Sequence, residues 1–345
     1  MNLPYHSVST PRLTTAYLSA GTPGKPKLLL LHGNVSSAVF YESLMERLSS
    51  DFDMLAPDFR CFGHSSPLSI DATRGMRDFS DDIEEFVCAM GWEHFSIFGW
   101  SMGGGVAMQY TIDHPEKVER LILQAPLSPF GFGGSCGETG TPVEPVGLGS
   151  GAVCANQMLL NSIRTGDRLL PGQVVDSVYV AVGYQIPAEK REKYIDSVLL
   201  CKLGDDMCQG NMIPCPQWPY AMGGDKGVSN TMSVQYCNLS ALADIQPQPP
   251  ILWLRGDKDL MVSDHSSCDV AVLGQLGFLA GYPGAAVFPP QPMVAQTRYV
   301  LERYRANGGQ YRECVLPNSG HGCMLDHEDD VVELLRSFIP CTSVL

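Results

Sequence analysis

The chain has 345 residues, of which 44% are hydrophobic and 17% charged, so it has enough apolar material for a large core and too little charge for general disorder. Its 23 basic and 37 acidic residues give a formal net charge of -14, which would repel nucleic acid and anionic membrane surfaces. We therefore expect a globular protein that has no nucleic-acid or membrane partner.

The start of the sequence, the length of its apolar stretches and its cysteine content indicate the compartment in which the protein is expected. No basic segment followed by an apolar run opens the sequence, and no stretch approaches about 18 uninterrupted apolar residues. We therefore predict a cytoplasmic protein, present as a monomer or homodimer. In that compartment the 12 cysteines are expected mostly as free thiols.

Short apolar runs alternate with helical patterns along much of the chain, which is typical of a mostly parallel sheet with crossover helices. Six runs have the length and composition of strands: residues 28–33, 53–58, 95–100, 120–126, 251–256 and 311–317. Amphipathic patterns between them predict helices that begin near Val39, near Asp78, at Met102 and at Glu328. The predicted fold class is α/β, with a mostly parallel sheet flanked by helices.

This alternation is interrupted between about Pro129 and Pro250. A Gly-rich stretch there leads into helical patterns and then into a Pro/Gly-rich segment. We interpret residues 129–245 as an inserted, mainly helical cap, and residues 1–128 and 246–345 as the core. A second insertion is expected at about residues 266–305.

The sequence Gly99-Trp100-Ser101-Met102-Gly103 stands between a strand and a helix of the predicted core. Small residues on both sides of a serine permit a sharp turn that presents the hydroxyl to a cleft. Such a motif also occurs by chance in ordinary turns, but its setting here favours a nucleophile. Ser101 is therefore the candidate nucleophile.

A serine hydroxyl needs a base, and His321 is the best candidate among the eight histidines. It lies in a loop between the last predicted strand and the last predicted helix, where a base can reach a serine at the end of the sheet. The other histidines have no comparable setting. The alternative for His321 is a solvated loop residue.

The base needs a carboxylate to orient it, and the strand ending at Gly256 is followed by Asp257, Asp259 and Asp264. We favour Asp259, which follows Gly256 at a G-x-x-D spacing. Asp257 and Asp264 could instead form turns or cap helices.

Acyl transfer also requires hydrogen-bond donors for the oxyanion that forms on the carbonyl. The backbone N–H of Met102 follows the nucleophile at the start of a helix. A second donor is expected in the loop after the strand ending in His32-Gly33, at Asn34, with Val35 as the alternative.

These motifs together resemble those of α/β-hydrolase-fold proteins with an inserted cap. The stretch LLLLHGN resembles the family's strand and oxyanion motif, PDFRCFGHS its D-x-R-G-x-G-x-S segment, GWSMGGG its nucleophile elbow, WLRGDKD its acid loop and NSGHGCML its histidine loop. Cys61 stands where the family usually has glycine. The resemblance implies the α/β-hydrolase fold, with a mostly parallel eight-stranded sheet flanked by helices and a mainly helical cap inserted after the sixth strand. It also implies a Ser-His-Asp hydrolase that acts on a small-molecule substrate and needs no metal and no organic cofactor.

The resemblance leaves several activities open, because one fold hosts many chemistries. Epoxide hydrolases and haloalkane dehalogenases of this fold have Asp where Ser101 stands, and the GGSWG elbow of proline iminopeptidases is missing. A carboxylic ester or lactone hydrolase is the first hypothesis. A carbon-carbon bond hydrolase or cofactor-free lyase or cyclase is the second, and a non-catalytic ligand-binding protein is the third.

The substrate pocket is expected between core and cap. Four aromatic residues are candidate liners: Trp100, Phe130, Trp218 and Tyr220. The scarcity of charge in the Gly-rich stretch favours a neutral, apolar substrate.

The cysteines are candidates for metal ligands and for reactive thiols. The spacing of Cys201, Cys208 and Cys215 lacks the close pairs of a metal site, so we expect Cys201 and Cys208 to pack on one face of a helix. Cys323 could lie near the cleft and confer sensitivity to thiol reagents.

Overall fold

A computed structural model describes residues 3–340 of the chain. Its centre is an eight-stranded sheet with strands β1 (Tyr5–Ser9), β2 (Thr14–Gly21), β3 (Lys27–Leu31), β4 (Asp53–Pro57), β5 (Phe95–Trp100), β6 (Val118–Gln124), β7 (Ile251–Gly256) and β8 (Tyr311–Leu316). The strand order is β1-β2-β4-β3-β5-β6-β7-β8. β2 pairs antiparallel with β1 and β4, and all other neighbours are parallel. The predicted fold class is confirmed.

All six strand candidates form strands of this sheet, and β1 and β2 complete it. These two N-terminal strands were not among the candidates, because β1 is a half-exposed edge strand without an apolar run. In contrast, all six residues of β5 and the four leucines of β3 are buried. Parallel strands covered on both faces read as continuous apolar runs, which is why the central strands were recognisable.

The described residues contain eleven α-helices: α1 (Glu42–Leu48), α2 (Arg77–Ala89), α3 (Met102–Asp113), α4 (Gln157–Thr165), α5 (Leu169–Val174), α6 (Ala188–Leu199), α7 (Val228–Thr231), α8 (Val270–Gln275), α9 (Met293–Ala306), α10 (Cys323–Asp326) and α11 (Glu328–Phe338). Turns of 3₁₀-helix cover Ala38–Tyr41, Ala72–Arg74, Pro115–Lys117, Gly151–Cys154 and Ser240–Asp244, and a π-helical turn covers Val175–Tyr179. None of the helices in this part of the chain combines the length and apolar character required to cross a membrane.

The segment between β6 and β7, residues 129–245, contains α4 to α7 and three two-stranded ladders. The ladders pair Ser135–Cys136 with Thr141–Pro142, Leu203–Gly204 with Cys208–Gln209, and Met212–Pro214 with Ala221–Gly223. We call residues 129–245 the inserted segment.

The expected helical packing of Cys201 and Cys208 is wrong, because α6 ends at Leu199. Cys201 lies just after this helix and Cys208 lies in the short ladder with Leu203–Gly204, and both are buried. The eleven cysteines among residues 3–340 are all unpaired, and Cys341 lies outside the described residues.

A buried amide pair joins the inserted segment to the chain between β7 and β8. Gln291 Nε2 donates to the Gly131 carbonyl at 2.9 Å and its Oε1 accepts from the Gly133 N–H at 2.6 Å. Gln296, on α9, donates to the Gly137 carbonyl at 3.0 Å, and the two glutamine side chains are 2.8 Å apart. Because both side chains are buried, these hydrogen bonds fix the Gly-rich start of the inserted segment.

Candidate active site

Ser101 occupies the sharp turn between β5 and α3. Its backbone has φ 57° and ψ −122°, a conformation that L-residues rarely adopt and that marks strain at a functional turn. The turn lies against β3 so closely that a Cβ on Gly103 would approach the Leu31 carbonyl oxygen to 2.1 Å. Glycine at this position therefore allows the close approach of helix and strand on which the serine's position depends.

His321 and Asp259 lie side by side, as the sequence predicted. His321 Nδ1 is 2.9 Å from Asp259 Oδ2, and both residues are buried. The other carboxylate oxygen of Asp259 accepts the backbone N–H groups of Met261 at 2.7 Å and Val262 at 3.0 Å. These two bonds orient the carboxylate, so that one oxygen holds the loop and the other holds the imidazole.

The two other acid candidates have structural roles. Asp257 accepts the backbone N–H of Asn318 at 2.6 Å, which ties the loop after β7 to the loop after β8. Asp264 accepts the N–H groups of Val294 and Ala295, at 2.8 and 3.1 Å, in the first turn of α9. These are the turn and helix-end uses that the sequence offered as alternatives.

The loop that carries His321 is held from three sides. Trp100, the residue before the serine, donates its indole N–H to the His321 carbonyl at 3.0 Å. Tyr179 of the inserted segment accepts the Gly322 N–H on its backbone carbonyl at 2.6 Å. The Asp326 carboxylate accepts the N–H groups of Gly320 at 2.7 Å and of Ala181 at 2.9 Å. The inserted segment thus takes part in positioning the imidazole.

The loop after β3 presents Asn34 and Val35 beside the serine. The Val35 N–H donates to the side-chain oxygen of Asn34 at 2.9 Å, so this group is already engaged. Within the described part of the chain, the backbone N–H groups of Asn34 and Met102 have no hydrogen-bond acceptor. The geometry therefore favours Asn34 over Val35 as the second oxyanion donor.

Two further groups hold this loop. The Tyr179 hydroxyl lies 3.1 Å from the Asn34 carbonyl and 3.0 Å from the Val35 carbonyl, and donates to them. His32 lies 2.8 Å from the Gly33 carbonyl through Nδ1, while its Nε2 accepts the Phe59 N–H at 3.0 Å. Burial lowers the pKa of His32 to about 3, so the imidazole is neutral and can accept this bond.

A cavity of about 170 Å³ opens at Ser101 and His321, between the core and the inserted segment. The inserted segment supplies much of its apolar wall through Phe132, Leu159, Val174, Val178 and Met232. None of the described residues that line it is Asp, Glu, Lys or Arg. The cavity therefore suits a neutral, largely apolar group.

Only one of the four aromatic residues expected at the pocket lines this cavity, namely Trp100. Trp218 packs instead against Tyr282 and Phe288, with ring centroids 5.2 Å apart in each pair, in a separate apolar cluster. Tyr220 is exposed to solvent, and Phe130 packs under Gly140. The liners that sequence reasoning missed, such as Tyr179, come from stretches with no pattern that relates them to Ser101.

The thiols at the cavity differ from the one expected. Cys323 is completely buried outside the lining, and burial raises its pKa well above the ordinary range. Cys154 and Cys268 line the cavity instead, and burial raises the pKa of Cys268 to about 11. Since the thiolate is the reactive form, these thiols are protonated and slow to react near neutral pH.

Comparisons with known proteins extend the description of the fold. A family model described as alpha/beta hydrolase fold matches residues 26–140. The human Serine hydrolase-like protein is 37% identical over 98 residues, 28% of this chain and 48% of its own length. The human Serine hydrolase-like protein 2 is also 37% identical over 98 residues, which are 31% of its length. The chain thus spans at most about half of these curated relatives.

Solved structures match over nearly the whole chain. An esterase from Exiguobacterium antarcticum, EaEST, has a TM-score of 0.59 at 17% identity and covers 96% of this chain and 98% of its own. The epoxide hydrolase CorEH has a TM-score of 0.61 at 16% identity and covers 98% of both chains. Likeness at this identity shows the fold alone. Together with the strand order and the matched family model, it shows that the chain has the α/β-hydrolase fold.

Proposed function

We propose that this protein is a serine hydrolase that cleaves a carboxylic ester or lactone of a small, largely apolar molecule through an acyl-enzyme on Ser101. The observation that carries the proposal is the joint presence of Ser101 and His321 in one cavity, with His321 Nδ1 2.9 Å from the Asp259 carboxylate. This combination provides a nucleophile, a base and a group that orients the base.

In the proposed reaction, His321 Nε2 takes the hydroxyl proton as Ser101 Oγ attacks the substrate carbonyl carbon. Asp259 keeps the remaining ring proton on Nδ1 and stabilises the imidazolium that forms. The N–H groups of Asn34 and Met102 stabilise the oxyanion. His321 then gives its proton to the leaving alkoxide, and a water molecule, activated by the same imidazole, releases the acid and restores Ser101.

We propose residues 129–245 as a cap over a core formed by residues 1–128 and 246–345. Two hydrogen bonds of Tyr179 support a cap at this place: its hydroxyl donates to the Asn34 carbonyl, and its backbone carbonyl accepts the Gly322 N–H. Through them the inserted segment contacts the loops that carry the groups proposed to react. The absence of Asp, Glu, Lys and Arg among the described liners supports a neutral substrate. No step of this reaction requires a metal or an organic cofactor.

The test is intact-mass analysis after treatment with a serine-directed fluorophosphonate. We expect one adduct on the wild type, none on Ser101→Ala and none on His321→Ala. His265→Ala is the matched control, because His265 is an exposed histidine outside the cavity lining and its loss should leave labelling unchanged. A folded wild-type protein that forms no adduct would overturn the proposal and favour a ligand-binding role.

Product analysis separates the proposed activity from the carbon-carbon and lyase alternatives. An ester hydrolase releases acid and alcohol in equal amounts and leaves the acid transiently on Ser101. Trapping a wild-type adduct whose added mass equals that of the acid less one water would support this route. Turnover of a substrate without acid release would contradict it.

A further inference from the structure

The cavity has one buried polar feature that the proposed reaction does not use. Gln209 and Ser229, both in the inserted segment, line it and are only 8% and 4% exposed. Ser229 Oγ donates to Gln209 Oε1 at 2.7 Å. The hydroxyl therefore fixes which way the amide faces and leaves its NH₂ group to be satisfied elsewhere.

That NH₂ group has a poor partner. Among the described residues its only acceptor is the Cys208 sulfur, at 3.7 Å. Thiol sulfur is a weak acceptor, and the amide has two hydrogens to place. A buried donor without a good acceptor is unfavourable, so a ligand that supplies an acceptor here would be stabilised.

The backbone of Gln209 is also unusual. Its φ is 84°, in the left-handed region that favours glycine and is unfavourable for a residue with a side chain. The residue is fixed there by the short parallel ladder that pairs it with Gly204. Strain of this kind persists where the surrounding structure imposes it, often at ligand sites. A glutamine kept in a glycine conformation at a cavity wall points to use of its side chain.

We infer that Gln209 is a specificity-determining residue that donates a hydrogen bond from Nε2 to an oxygen of the substrate remote from the scissile carbonyl. The inference rests on the proposed function and narrows it to esters or lactones that are apolar except for one additional carbonyl, ether or hydroxyl oxygen. The liners around it carry no carboxylate or amine, so the recognised group is neutral. Ser229 acts as the positioning residue for the amide.

The test uses pentyl pentanoate and a set of analogues in which a single methylene, on either side of the ester, is replaced by an ether oxygen. Oxygen next to the carbonyl carbon or to the ester-bearing carbon is avoided. The readout is kcat/KM for each analogue divided by kcat/KM for the parent ester. We expect the wild type to have a raised ratio for one analogue. In Gln209→Met the ratio for that analogue should be about fivefold lower, which is the effect of one neutral hydrogen bond.

Gln275→Met is the matched control, since Gln275 is exposed and lies outside the cavity lining. It should keep the wild-type ratio. Should Gln209→Met fail to fold, Gln209→Glu is the second variant. It retains the shape of the side chain but has a carboxylate oxygen in place of the NH₂ donor, so the preference for the analogue should be lost. A wild type that prefers no analogue, or a preference that survives in the variants, would overturn the inference while leaving ester hydrolysis intact.

Failure of the proposed function has a different signature, namely no fluorophosphonate adduct and no hydrolysis of any ester in the set. In that case the inference is tested by binding alone, with ketones of the same chain lengths and the same ether replacements, measured by thermal shift. A replacement that raises the melting temperature of the wild type but not of Gln209→Met supports the role of Gln209. Equal shifts in both proteins overturn it.

Discussion

The core and the inserted segment are specified in different ways. In the core, continuous apolar runs form central strands, and the side chains of β3 and β5 are almost all buried. In the inserted segment, much of the backbone path depends on turns, since twelve of the twenty-one glycines with positive φ lie there. The core therefore derives its geometry from regular strand pairing, whereas the inserted segment derives it from individual turns and from contacts with the core.

The difference has a chemical counterpart. The core carries the groups proposed to react, on the ends of β3, β5 and β7 and in the loop after β8. The inserted segment supplies most of the apolar cavity wall and the Gln209–Ser229 pair. Substitutions of the reacting groups should therefore act on the rate of reaction, and those of Gln209 and Ser229 on the choice of substrate. The following predictions compare the two regions.

The largest effect is expected for Asp259→Asn. To keep the Met261 and Val262 N–H bonds, the amide oxygen must occupy the Oδ1 position, so the NH₂ group faces His321 Nδ1. The imidazole must then accept at Nδ1 and carry its proton on Nε2, where it cannot act as a base. We expect kcat to fall about a thousandfold with an unchanged melting temperature. A loss below tenfold would contradict the assigned role.

The next effect concerns one glycine from each region. A Cβ on Gly103 would lie 2.1 Å from the Leu31 carbonyl oxygen, so Gly103→Ala must separate α3 from β3. We expect a loss of at least about 3 kcal/mol in the free energy of unfolding, measured by urea denaturation.

Gly166→Ala is the corresponding variant in the inserted segment, to be compared with Gly103→Ala. Gly166 ends α4 at φ 73° with no atom within 4 Å of the added Cβ, so only the left-handed backbone is unfavourable. We expect a loss of about 1 kcal/mol. Equal losses in the two variants would remove the distinction between the regions.

The third effect is a pH dependence within the core. Burial raises the pKa of Asp58 to about 6, although its carboxylate accepts the N–H groups of Ala38 and His64. Because the folded-state pKa exceeds the unfolded value, stability is greatest below about pH 4 for this group and is lost as pH rises through 6. Relative to Asp58→Asn, the wild type should lose up to about 3 kcal/mol between pH 4 and pH 7, by urea denaturation. A pH-independent difference would contradict this.

The smallest effect should come from Tyr179→Phe, at the contact between the two regions. The change removes the hydroxyl that donates to the Asn34 and Val35 carbonyls and leaves the ring, which packs on Trp100 with centroids 5.1 Å apart. We expect kcat to fall about fivefold and KM to change little, because the N–H of Asn34 in this loop is proposed to stabilise the transition state. A change confined to KM would assign Tyr179 to substrate binding alone.

Sequence reasoning was most informative where chemistry and regular structure coincide. The strand-turn-helix setting of Ser101 was recognisable from the apolar run before it and the glycines after it. His321 and Asp259 were paired through their places after predicted strands, and the structure has their atoms 2.9 Å apart. Their catalytic roles stay predictions that the variants above test.

The cavity wall was beyond the reach of the sequence because it depends on contacts between distant stretches. Gln209 lies in a two-residue strand with no periodicity. Trp218 was expected at the pocket by its aromatic character alone, whereas Phe288, 70 positions further along the chain, provides its packing partner. β1 was missed for a related reason, since its polar, half-exposed residues show no apolar run.

The amide pair of Gln291 and Gln296 has a consequence for protein engineering. It joins two stretches separated by more than 150 positions, so the inserted segment is not a module that can be exchanged independently. In a chimera that receives residues 129–245 from a relative, the side chains of Gln291 and Gln296 would face a backbone that does not match them. Transplanting the stretch around residues 291–296 together with the inserted segment would preserve these bonds. The two stretches are therefore best exchanged together in any chimera.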